Sequence, residues 1–264
     1  MAVRLIALDI DGTLTNDARR VSQENLDAVA RAQAAGVFVT IATGRAYRAS
    51  LPILRALNVQ GPSMHYGGAW VVDTRTQQTL HLSPLSAETV HDVLQISHEL
   101  NTTAQLYQEN TVIFEKENPF SMGYVTKFDL PYRIVPDAID QTFHDVPKML
   151  MLTDRAHEAE LIAAVTEKLQ GRADVSRSQP GFIEINCRDV NKATGLSFIA
   201  EYLGIQQTEV AAIGDSYLDL SMIQWAGDGV CVENATKDVL KSADTVVPSC
   251  EANGVAYYID HYVL

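Results

Sequence analysis

Short apolar runs alternate with segments of helical period at both ends of the chain, and the alternation breaks in the middle. "RLIALDI" (4–10) is nearly continuous in apolar residues, as expected of a strand buried on both faces of a parallel sheet. Ser22 is a good helix cap, Glu24 suits a first turn, and Leu26, Val29 and Ala30 keep helical spacing up to Gly36, a stop. "VFVTIA" (37–42) reads as a second buried strand, and this β-α-β order implies parallel pairing. A helix is predicted from Ala46 to Leu57, bent or restarted near Pro52. "AWVVD" (69–73) and "TLHLS" (79–83), joined by a polar turn, form a hairpin pattern.

From about Pro84 the order changes. An amphipathic helix spans 86–100, then strand-like runs "TAQLYQ" (103–108) and "TVIFE" (111–115) flank Glu109–Asn110. A helix near 119–127, an extended "YRIV" (132–135), a strand "KMLML" (148–152) and a helix 155–169 follow. "DVSRS" (174–178) and "GFIEIN" (181–186) read as strands around a Gln-Pro-Gly turn. After Cys187 the first rhythm returns: helix 191–203, strand "VAAIG" (210–214), helix 217–225, strand "GVCV" (229–232), a short helix from Thr236, strand "TVVP" (245–248) and a last helix from about Gly254. The reading is an α/β fold, a Rossmann-like doubly wound parallel sheet built from 1–83 and 187–264, with an α+β domain, 84–186, inserted in it. A cleft between two such domains is a natural ligand site.

Composition narrows the function classes. The 264 residues carry a formal net charge of −13, with 47% hydrophobic and 20% charged residues, which fits a soluble chain with a real core. No basic stripe offsets that charge, so no nucleic-acid partner is expected. Cys187, Cys231 and Cys250 are far apart and form no C-x-x-C pair, which suits a reduced, cytoplasmic setting. The first apolar run is too short and too acidic for a signal peptide or a membrane span, so no membrane association is expected.

Four groups could do chemistry. In "LDIDGTL" (8–14), Asp9 and Asp11 sit two apart and leave the first strand on one side, where open α/β sheets bind ligands; the plainer reading is a solvated acidic turn. In "TIATGR" (40–45), Thr43 and Gly44 offer a hydroxyl and N–H groups before a helix, an anion site, or else an ordinary strand–helix joint capped by Thr43. In "DVNKATGL" (189–196), Lys192 starts a helix, where the dipole disfavours a cation unless an anion is near; otherwise it is a solvated lysine. In "AAIGDSYLDLSM" (211–222), Asp215 follows a buried strand and Asp219 comes four residues later; the plainer reading makes Asp215 a helix cap. Each signal is modest alone. Together, carboxylates, a hydroxyl with free N–H groups and one cation are what phosphoryl transfer with magnesium needs.

With these motifs in this order the chain resembles the haloacid dehalogenase-like phosphatases, and within them the Cof-type hydrolases with a large inserted cap. "DIDGTL", "TIATGR", "NKATGL" and "GDSYLDLSMI" look like the four family motifs, and 84–186 looks like the cap. The resemblance implies a Mg²⁺-dependent phosphatase of small phosphorylated metabolites, sugar phosphates first among them. Asp9 would be the nucleophile that carries an aspartyl-phosphate, and Asp11 the general acid and base. Thr43, Gly44, Lys192 and Asn234 would serve the phosphate. Mg²⁺ would be held by Asp9, the backbone carbonyl of Asp11 and Asp215, with Asp219 in support. The chain would act as a monomer or homodimer. Two positions depart from the family's pattern, Leu218 and Gly67, each where the family usually has Asn. Two other readings stay in view: a phosphotransferase or phosphomutase and, because of Leu218, a phosphometabolite-binding protein with reduced turnover.

Overall fold

The apolar stretch Leu5–Leu8 forms β1 in the computed structural model, which describes residues 2–264. All four side chains are fully buried. At roughly 1.5–3 kcal/mol for each large apolar side chain removed from water, such a strand anchors the sheet. Ser22 caps α1 (Gln23–Ala34), its hydroxyl accepting from the Asn25 N–H. Next come β2 (Phe38–Ile41), α2 (Tyr47–Ala56), β3 (Pro62–His65), β4 (Trp70–Asp73) and β5 (Thr79–Leu82). Helix α2 continues through Pro52 and does not restart there. No strand is predicted at β3, because Ser63 and His65 interrupt any apolar pattern; the structure buries both polar side chains and pairs β3 antiparallel with β4.

By contact the chain divides into two units, one comprising the chain through Arg45, Ser50–His81 and Asn191–Leu264, the other Ala46–Ala49 and Leu82–Val190. The second unit contains α3 (Ala87–Glu99), β6 (Thr103–Gln108), β7 (Thr111–Phe114), α4 (Pro119–Lys127), β8 (Tyr132–Ile134), β9 (Lys148–Leu152), α5 (Glu158–Leu169), β10 (Ala173–Gln179) and β11 (Phe182–Cys187). Its six strands pair in the order β10-β11-β9-β6-β7-β8, antiparallel except for β7 with β8. Helices α3 and α5 pack on one face of this sheet, burying Val90, Val93, Leu161 and Val165 against Leu106, Met149, Met151 and Ile183. Helix α5 starts later than its apolar pattern predicts, because Asp154 Oδ1 accepts from the Ala156 and His157 N–H groups and holds a turn instead.

The first unit resumes with α6 (Lys192–Leu203), β12 (Val210–Gly214), α7 (Leu220–Trp225), β13 (Asp228–Val232), α8 (Lys237–Ser242), β14 (Thr245–Val247) and α9 (Gly254–Tyr258). Five strands form a fully parallel sheet, β14-β13-β12-β1-β2. Period two along the strands splits their side chains between faces. Leu5, Ala7, Val210 and Ala212 meet Leu196, Ile199, Met222 and Val239 of α6, α7 and α8. Helices α1 and α9 pack together, with α1 on β2. This is the expected doubly wound α/β arrangement, and it brings the ends of β1, β2 and β12 side by side. Among the described residues no helix is long and apolar enough to cross a membrane.

Candidate active site

Asp9 follows β1 directly and is buried, and its N–H donates to Ile213 O at 3.0 Å, which ties the loop to β12. Lys192 is the first residue of α6 and is 2% exposed. Asn191 caps that helix, accepting from the Ala193 and Thr194 N–H groups at 2.9 and 3.2 Å. The cap seats close to Gly68, whose φ is +112° and where a Cβ would lie 2.1 Å from Asn191 O. Any side chain there would push the start of α6 away. So placed, Lys192 Nζ donates to Asp9 Oδ1 at 2.6 Å and to Asp219 Oδ1.

Asp219 is fully buried and is the hub of the next loop. Its Oδ2 accepts from Asp215 N at 3.2 Å, Ser216 N at 2.9 Å and Ser216 Oγ at 2.7 Å. The residues after β12 therefore begin as a 3₁₀ turn, Tyr217–Asp219, capped by Ser216, before α7. Asp215 is not the helix cap that the plainer reading makes it. Its carboxylate instead accepts from Thr13 Oγ1 at 2.8 Å. Gly12, with φ +83°, makes the approach possible: a Cβ there would sit 2.6 Å from Asp215 Oδ2.

One carboxylate oxygen from each of Asp9, Asp215 and Asp219 lies within 4.8 Å of the others. Burial pushes the Asp9 carboxyl well above its usual range, the neighbouring Asp219 adds to this, and Lys192 opposes it. Burial, then Asp219, pushes Asp215 up to about 6. Burial alone would pull the Lys192 ammonium down, but Asp219 and Asp9 outweigh it and push it up. Lys192 therefore stays charged, and three carboxylates share one ammonium. An excess of negative charge set in hard oxygen donors fits a small divalent cation such as Mg²⁺.

The other expected residues lie around this cluster in different ways. Asp11 does not join it: its carboxylate is held by Arg45, Nε to Oδ2 at 2.7 Å and Nη2 to Oδ1 at 2.5 Å. Thr43 is buried at the end of β2, its Oγ1 accepting from Arg45 N at 3.2 Å. Gly44 beside it faces open space. Asn234 uses both ends of its amide as a brace, donating to Gly12 O at 2.8 Å and accepting from Cys250 N at 2.9 Å. Leu218 is half-buried. Of its polar neighbours, Ser216 reaches the carboxylates, whereas Tyr217 is 71% exposed. Arg45 is the member of the group to which sequence reasoning gave no role; its place right after Thr43–Gly44 was the available signal.

The profile of the haloacid dehalogenase-like hydrolases matches residues 6–259. The chain belongs to that family. The match to this Cof-type family spans all four of the loops described above. It is 33% identical to the provisionally named phosphatase YxeH of Bacillus subtilis (strain 168), over 99% of this chain and 98% of that one. It is 29% identical to the 5-amino-6-(5-phospho-D-ribitylamino)uracil phosphatase YcsE of the same organism, over 99% of this chain and 96% of that one. The crystal structure of a haloacid dehalogenase-like hydrolase from Bacteroides thetaiotaomicron superposes with a TM-score of 0.90 at 29% identity, covering 98% of both chains. Both of these relatives, matched over nearly their full length, carry phosphatase names.

Proposed function

We propose that the protein is a Mg²⁺-dependent phosphatase of small phosphorylated metabolites that works through an aspartyl-phosphate on Asp9. The observation that carries this reading is the buried Asp9 carboxylate, held at 2.6 Å by Lys192 beside two further carboxylates. In the first step an Asp9 oxygen attacks phosphorus, the ester P–O bond breaks, and Asp11 gives the leaving oxygen its proton. In the second step water attacks the phosphorus of the aspartyl-phosphate, Asp11 takes the water's proton, and Asp9 and inorganic phosphate are released. Lys192 remains an ammonium throughout and offsets charge on Asp9 and the phosphoryl oxygens. Asp219 keeps Lys192 charged and aimed. With one oxygen on Lys192 and the other on the Asp215–Ser216 loop, Asp219 supports the site and is not itself a ligand. Thr43 and Gly44 receive the phosphoryl oxygens. Asn234 acts on this chemistry by fixing the Gly12 turn.

Mg²⁺ bound by the Asp9 and Asp215 carboxylates and the Asp11 backbone carbonyl would supply the positive charge that lets a phosphate dianion approach them. Sugar and polyol phosphates are the substrates favoured here, since the relative YcsE is named for a phosphoribityl compound. The free thiols Cys187, Cys231 and Cys250 suit a reducing cytoplasm. The test is phosphate release from a broad panel of phosphate esters, with and without Mg²⁺. Wild type should hydrolyse several esters only with the ion, and Asp9→Asn should hydrolyse none while keeping the wild-type circular dichroism spectrum. Substantial turnover by Asp9→Asn would remove the nucleophile assignment. Phosphosugar isomerisation in place of phosphate release would favour a mutase.

A further inference from the structure

Asp11 is assigned the acid–base role, yet its carboxylate is already engaged. Arg45 grips both of its oxygens, at 2.7 and 2.5 Å, with the two-pronged geometry of a guanidinium on a carboxylate. The guanidinium is 13% exposed, whereas the Asp11 side chain is 54% exposed. Arg45 is therefore the fixed partner and Asp11 the freer one. Arg45 also belongs to the anion loop, since its N–H donates to Thr43 Oγ1 at 3.2 Å. A planar guanidinium presents the same fork to a phosphate as to a carboxylate.

We propose that the Arg45 guanidinium is contested between Asp11 and the phosphoryl group of the substrate. An arriving phosphate takes the guanidinium, and Asp11 is released. This rests on the reading of Asp11 as the acid–base residue and adds that phosphate binding is what frees it from Arg45. Arg45 is a positioning residue for Asp11 and a phosphate ligand in turn.

The exchange can be read from binding alone, with inorganic phosphate as the probe. Its affinity would be measured by calorimetry with Mg²⁺ present, on full-length wild type, Asp11→Asn, Arg45→Ala and the double variant, each checked for a native circular dichroism spectrum. Removing the competitor should help phosphate: Asp11→Asn should bind it about tenfold more tightly than wild type. Arg45→Ala should bind it about tenfold more weakly, and Arg45→Lys, which keeps charge without the fork, in between. The cycle decides the matter. In the Arg45→Ala background the gain from Asp11→Asn should shrink to about twofold or less, the residue of general charge removal. An equal gain in both backgrounds, or no gain in either, would overturn the exchange while the functional reading stood. Wild type that neither bound phosphate nor hydrolysed any ester would remove the functional reading and this inference with it.

Discussion

Two buried lysines, one in each unit, show how differently the chain treats internal charge. Lys148 on β9 is 6% exposed and faces Glu184 of β11 at 2.7 Å, one cation to one anion. Lys192 on α6 is 2% exposed and faces two carboxylates, Asp9 and Asp219, with Asp215 within reach of both. The first pair is balanced and can be read as structure. The second group is not balanced, and burial of its excess charge is unfavourable as it stands, which the raised Asp9 and Asp215 values express. A folded chain keeps such a cluster when something else completes it. Imbalance, more than burial, marks the site.

Breaking the unbalanced group should give the larger effect. Lys192→Met removes the cation from three carboxylates. Removing one preorganised charge that stabilises the transition state costs about 2.7–4 kcal/mol, so phosphate release should fall by about a hundredfold to a thousandfold. Stopped assays of phosphate release at saturating Mg²⁺ measure this. Turnover within tenfold of wild type would mean that the imbalance around Lys192 has no catalytic meaning.

The balanced pair should respond in stability and not in chemistry. Lys148→Met leaves Glu184 without its lysine and should lower the unfolding free energy by about 3–5 kcal/mol in urea titrations. Replacing both partners, Lys148→Met with Glu184→Leu, should recover most of that loss, because a well-packed apolar pair replaces a balanced ion pair at little cost. Turnover per folded molecule should stay near wild type. If the double variant were no more stable than the single one, the contact between Lys148 and Glu184 would not be what sets the loss.

Much of the fold was legible because periodicity reports burial, and burial sets the sheet. β1, β2 and β12 were visible as apolar runs, α1 by its cap Ser22 and α3 by its amphipathic pattern. β3 was hidden, since its Ser63 and His65 are polar side chains bonded to each other inside the protein, which no hydropathy pattern records. Within the site, sequence placed Asp9, Lys192, Asp215 and Asp219 on the right loops, because strand ends and helix starts are local features. What it could not supply was pairing between loops far apart in the chain. That Lys192 would bridge Asp9 and Asp219, and that Arg45 would hold Asp11, depends on the register of β1 with β2 and β12 and on the seating of α6 against Gly68. The 3₁₀ turn at Tyr217–Asp219 was likewise lost to a helical pattern that α7 only partly fulfils.

His65 extends the comparison to a buried base that burial keeps uncharged. It is fully buried on β3, Nε2 lies 2.8 Å from Ser63 Oγ, and burial pulls its imidazole from 6.5 down to about 3. The folded protein therefore keeps it neutral where an unfolded chain would protonate it. Because the folded value is the lower one, the contribution is fully present above pH 6.5 and is lost as pH falls from 6.5 toward 3. The loss should reach about 2 kcal/mol near pH 5. Asp215, with its folded value raised to about 6, acts in the opposite sense, losing stability as pH rises from 3.8 through that value. The two are separated by measuring urea stability from pH 7 to pH 5 in wild type and His65→Leu. The variant starts less stable at neutral pH for want of the Ser63 contact, so the slopes are what count. Wild type should lose stability on acidification more steeply than His65→Leu, by the amount assigned to the imidazole. Parallel slopes would show that the folded protein protonates His65 as readily as the unfolded chain does, and an uncharged buried base would then be no counterpart to Lys192.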